Sequence, residues 1–207
     1  MKTLFITLSI LLSTISFAQN NLNTDLEKAL GQWKSNDKET IKSFEKINDQ
    51  YPNDRLAKYY VAFTKTVNSF EENNPSAKEK LVNDAAQEID LLIKNYPNDP
   101  EILNLKALNL SAEIMLNPMV NGMLLMDDIQ SIYSKSILLN PNNPRSILGK
   151  AEFNINTAKF IGGDIAKDCK AVRKAVDLFA TEDKNSLEPS WGKERAENLM
   201  NNECKSY

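Results

Sequence analysis

No histidine occurs among the 207 residues, and only two cysteines and six glycines do. Without an imidazole the chain has no histidine base, no Ser-His or Cys-His pair and no histidine-bearing zinc site. Two sulfurs alone do not complete a tetrahedral metal site either, so no metal, cofactor or catalytic residue is expected. Long apolar runs are also missing. The stretch from Leu4 to Ile15 holds 12 residues diluted by Thr7, Ser9, Ser13 and Thr14, whereas a membrane span needs ~20 largely apolar positions. A strong excess of positive charge is absent too: 25 basic side chains face 28 acidic ones, a formal charge of -3, which makes nucleic acid a poor partner. What remains is a composition typical of globular proteins, 42% apolar and 26% charged.

Residues 1–18 read as an export signal: Lys2 is the positive end, Leu4 to Ile15 the apolar stretch, and Ser16-Phe17-Ala18 the small-x-small cleavage pattern. Cleavage before Gln19 removes one lysine and no acid, leaving 24 basic and 28 acidic groups and a charge of -4. The mature chain, residues 19–207, is expected to be a single domain, periplasmic or secreted, with no integral membrane segment.

Three turn motifs recur: Tyr51-Pro52-Asn53-Asp54, Tyr96-Pro97-Asn98-Asp99-Pro100 and Asn140-Pro141-Asn142-Asn143-Pro144. Their first prolines are 45 and then 44 residues apart. Each follows a segment of helical apolar spacing, and each Asn is placed to cap the next helix by accepting a free first-turn amide. Bulky Phe44, Ile89 and Tyr133 stand eight residues before these prolines, and small Ala62, Ala107 and Ala151 stand ten after them. A bulky residue fills the space between neighbouring helix pairs and a small one lets two backbones approach. One pair cannot bury its apolar stripe alone, so this period predicts an all-α chain, an α-solenoid of stacked antiparallel helical hairpins. The expected units are 23–50, 53–95, 98–140 and 142–180, followed by a capping helix at 190–204; Trp33 anchors the first helix.

The pattern resembles the tetratricopeptide repeat (TPR), with its aromatic eight positions before a closing proline and a small residue in the next helix. The period departs from the usual 34 residues, which implies elongated helices. The Asn-Pro-Met segment and Gly at 117–122, Gly162-Gly163, and Pro189-Ser190-Trp191-Gly192-Lys193 near a terminal cysteine are similar to exported TPR-like proteins of Bacteroidota-type bacteria. The resemblance implies a fold and no reaction.

Cys169 lies on the stripe Ile165, Cys169, Val172, Val176, Phe179, and Cys204 on that of the last helix; in an exported chain the pair is expected to form a disulfide. Met115, Met119, Met123 and Met126 fall within twelve residues, beside Val120 and Leu124, at an expected hairpin connection. Soft side chains there suit an adaptable partner surface, although a connection folded inward would use them to fill a gap. Tyr59 and Tyr60, with Tyr51 and Phe63, could line a groove or glue hairpins together. Gly162-Gly163 before Lys167, Lys170, Arg173 and Lys174 offers a weak anion site at a helix start, and a simple turn otherwise.

The expected function is a scaffold whose concave face binds another protein or peptide segment, since such stacks need no chemical centre. The alternatives are a small-ligand carrier or enzyme with a pocket between helices, and a structural or oligomerising envelope subunit.

Overall fold

The computed structural model describes residues 21–33, 38–183 and 186–207, so the export signal at 1–18 lies outside the described residues. Every regular element among them is an α-helix. They are α1 (residues 21–32), α2 (Lys38–Gln50), α3 (Arg55–Glu71), α4 (Pro75–Asn95), α5 (Pro100–Ile114), α6 (Pro118–Leu139), α7 (Pro144–Ile161), α8 (Ala166–Phe179) and α9 (Lys193–Asn202). None is long and apolar enough to cross a membrane. The chain divides into two compact units, Met1–Val61 and Ala62–Tyr207, with the boundary inside α3.

The repeated turns build the same joint three times. In each, a backbone amide returns to a carbonyl three residues earlier: Asp54 to Tyr51, Asp99 to Tyr96 and Asn143 to Asn140, at 3.0, 3.2 and 3.1 Å. The cap is the second residue after the first proline, one place later than Asn53, Asn98 and Asn142. Asp54 Oδ1 accepts from the amides of Leu56 and Ala57, Asp99 Oδ1 from those of Glu101 and Ile102, and Asn143 Oδ1 from that of Ser146. The reason is steric. Pro100 and Pro144 take the first helical position, where a missing N–H costs nothing, so the cap must be the residue before them. Asn74-Pro75 and Asn117-Pro118 start α4 and α6 in the same way.

In the first unit, Leu22, Leu26 and Ala29 form one buried face of α1, and Phe44 and Ile47 of α2 are buried as well. Phe44 stacks on Tyr60 with ring centroids 5.3 Å apart, while Trp33 meets Phe44 edge-on at 6.3 Å. Tyr59 and Tyr60 are buried and set edge to face, 5.5 Å apart. This corrects their assignment to a partner surface: two rings at adjacent positions near the start of α3 are used in packing, and neither offers area to a ligand.

In the second unit, α4 packs on α5, α5 on α6 and α7, α6 on α7, α7 on α8, and α8 on α9. Ile89, Tyr133, Ala62, Ala107 and Ala151, the bulky and small residues of the repeat, are all buried. One core lies between α5 and α6 around Ala107, Leu110, Ile129 and Tyr133; a larger one joins α7, α8 and α9 around Leu148, Ile155, Val172 and Phe179. Cys169 and Cys204 are buried in the second core and are disulfide-bonded.

Buried polar side chains cross-link these layers. Ser136 Oγ lies within hydrogen-bonding distance of Asn104 Oδ1, the Pro100 carbonyl and Ser146 Oγ, at 2.9, 3.0 and 2.8 Å. Arg145, 5% exposed, gives Nε to both oxygens of Glu101 at 2.9 and 2.8 Å and its terminal nitrogens to Glu182. Burial raises the Glu101 carboxyl above its ordinary pKa, opposed by the Arg145 charge and the Asn143 amide. Gly192 has a φ of 108°, and a Cβ there would come within 2.8 Å of the Phe179 ring, so only glycine lets the chain enter α9 at this point.

Candidate functional site

Residues of α5, α6 and α7 line a cavity of about 500 Å³. Its position follows from local sequence. Only residues 115–117 connect α5 to α6, because Asn117 caps a helix that begins at Pro118. The methionine cluster therefore lies mostly on α6 itself. This corrects the expected hairpin connection spanning Met115 to Met126, most of which is helix. The proline and its cap start the helix two turns earlier than apolar spacing alone indicates. Met119 and Met123, one turn apart, are 78% and 86% exposed, so they do not fill an internal gap.

The walls are apolar. Ile114 and Met115 close the α5 side, Met119, Met123 and Met126 the α6 side, and Phe153, Phe160 and Ile161 the α7 side, with Phe70 of α3 also lining the space. Phe160 is 84% exposed at the mouth. Large apolar side chains gathered at one opening are the kind of surface found at ligand and partner sites.

Six polar side chains interrupt the wall: Ser111, Asn156 and Thr157, and the titratable Tyr133 of α6, Glu152 of α7 and Arg195 of α9. Arg195 Nε lies 2.7 Å from each Glu152 carboxylate oxygen. Burial raises the Tyr133 phenol above its usual range; the Arg195 charge opposes that shift and the Glu152 charge adds to it. The phenol is protonated at neutral pH. α9 is held in place from three directions: the Cys169–Cys204 bond to α8, Arg195 to Glu152, and Lys159 to Glu203 at 2.6 Å.

A solved structure shares this fold. The HusA haemophore from Porphyromonas gingivalis superimposes with a TM-score of 0.75, covering 91% of this chain and 94% of that one, at 22% sequence identity. No protein-family model matches the chain, and no curated protein matches it by sequence.

Of the residues singled out by sequence, Met115, Met119, Met123 and Met126 line the cavity, whereas Val120 and Leu124 are exposed on α6 outside it. Gly162, with a φ of 79°, ends α7, and Asp164 Oδ1 accepts from the Ala166 amide at 2.9 Å, so an aspartate already occupies the start of α8 where an anion was considered. Among the described residues no group of three His, Cys, Asp or Glu is placed to hold a metal ion. Sequence reasoning missed Phe153, Phe160, Ile161, Glu152 and Arg195. Phe160-Ile161 directly before two glycines was a usable sign, since two large apolar residues at a helix end are out of place unless something covers them.

Proposed function

We propose that this chain is an exported carrier of a flat, mostly apolar small molecule, of the chemical class of haem and related tetrapyrroles, held between α5, α6 and α7. The observation that carries the reading is the cavity itself. Its volume of about 500 Å³ lies within the range of small-molecule sites, ~300–1,000 Å³. Its mouth is lined with thioether and phenyl groups that adapt to a planar face. The shared fold of the haemophore supports the same reading.

The donor set fits a tetrapyrrole gripped by its faces and edges. The chain has no histidine, and both cysteines are bonded to each other. Among the lining side chains, those left to approach a bound iron are the methionine thioethers, a known type of haem ligand. The reading keeps the finer expectations: cleavage after residue 18, release from the cytoplasm, a TPR-like succession of hairpins over 19–207, and no catalysis. Docking of a peptide on α6 is a second reading, favoured by the exposure of Val120 and Leu124 outside the cavity.

Titration of the mature protein with haem and with metal-free protoporphyrin IX, followed by Soret absorbance and tryptophan quenching, tests the proposal. Saturable 1:1 binding that weakens in the double variant Met119→Asp, Met123→Asp supports it. No spectral change at tens of micromolar with either compound overturns it.

A further inference from the structure

Tyr133 is 3% exposed, yet its hydroxyl has no hydrogen-bond partner among the described residues. The hydroxyl oxygen is not among the buried polar atoms left without a partner, so a group entering the cavity can reach it although the ring is buried. The tip of this ring lies against Gly149, and both residues line the cavity. It is a donor with no protein partner among the described residues, kept protonated, at the wall of a mostly apolar space.

Arg195 reaches the same space from α9. Its Nε is engaged by Glu152, but no described residue takes its two terminal nitrogens, and the side chain is 46% exposed. The chain shows elsewhere what such an arginine does. Arg145 places Nε on one carboxylate, Glu101, and both terminal nitrogens on a second, Glu182. Arg195 has the first half of that arrangement and lacks the second. The free edge presents two parallel N–H groups that match the two oxygens of a carboxylate.

We propose that the Tyr133 hydroxyl and the terminal nitrogens of Arg195 form a polar subsite in the cavity wall that receives a carboxylate carried by the ligand. Glu152 lines the same cavity, and its contact with Arg195 Nε at 2.7 Å both orients the guanidinium and pairs the one acid near the subsite. The ligand is thereby narrowed to a flat apolar body bearing an acid group. This inference rests on the carrier reading and deepens it.

The test compares protoporphyrin IX, which carries two carboxylic acids, with its dimethyl ester, in one detergent buffer, by tryptophan quenching. The mature protein is expected to bind the diacid about tenfold or more tightly than the ester, the loss of one charge-assisted hydrogen-bonded contact. Arg195→Gln and Tyr133→Phe should each weaken the diacid, by about tenfold and about threefold, and leave the ester unchanged. Ester binding shows that a variant's cavity is intact, and the diacid-to-ester ratio of the unaltered protein needs no variant. Equal affinity for diacid and ester overturns the subsite and leaves the carrier standing. Binding of neither compound removes the carrier and the subsite together.

Discussion

The Tyr133 ring occupies the space that a side chain at Gly149 would need: a Cβ there would lie 2.5 Å from Cε1 and 2.6 Å from the hydroxyl oxygen. One helix lets the other's aromatic ring lie across its backbone, and that contact sets where the phenol meets the cavity. Gly149→Ala must push the ring away. Alanine in a helix is intrinsically better than glycine by about 1 kcal/mol, so a net loss of about 1–2 kcal/mol reports the clash. Urea unfolding should show a lower midpoint at unchanged slope. A stabilised variant would mean that the ring moves without cost.

Arg145 holds two carboxylates from a nearly fully buried position. Removing it in Arg145→Ala leaves Glu101 itself a buried carboxylate without its cation, and a loss of about 3–5 kcal/mol is expected from chemical denaturation. Arg145→Lys should recover only part of this, because an ammonium cannot serve both carboxylates with the same fork. Full recovery with lysine would show that charge alone matters there.

The bond between Cys169 and Cys204 closes a loop of 35 residues. On the loop-entropy model its removal in the double alanine variant costs about 4 kcal/mol. Disulfide sulfurs carry no thiol, so iodoacetamide added to the unfolded protein without reductant should modify neither cysteine, as read by mass spectrometry. Modification of both would show that the bond is not formed in solution.

The Tyr133 phenol has a folded pKa raised above its ordinary 10.0, chiefly by burial. A raised folded value means that the folded state holds its proton more firmly than the unfolded one. The contribution is therefore complete below pH 10 and is lost as pH rises beyond it, where the unfolded chain gains by ionising. Stability should fall above about pH 10, and the fall should be shallower in Tyr133→Phe. Phenolate absorbance near 295 nm should show one fewer late-titrating tyrosine in that variant.

Much of the backbone was legible because its punctuation is chemical. Proline at a first helical position and an Asn or Asp before it mark the starts of α4, α5, α6 and α7 in plain view. The expectation of which residue caps failed by one place: before α5 and α7 a second proline fixes the first helical position, and before α3 Asp54 caps directly ahead of Arg55 without one. The cavity was half legible. Its methionines stand together in the chain, but Arg195 comes from α9, 43 residues beyond its partner Glu152, and only packing brings such residues to one wall. Tyr133 was read as a packing residue. It is one, and the unmet hydroxyl that gives it a further role is invisible to spacing. Tyr59 and Tyr60 misled because an aromatic pair reads alike whether it faces a partner or a core.

The openness of the cavity has a chemical cost. Met119 and Met123 meet solvent with most of their surface, and peroxide converts an accessible thioether to a polar, chiral sulfoxide. Two oxygen atoms added at that doorway would turn an oily entrance into a wetted one. On the proposed carrier reading, the history of oxidant exposure would decide how many molecules in a population still take up cargo, and a sulfoxide reductase would restore the count.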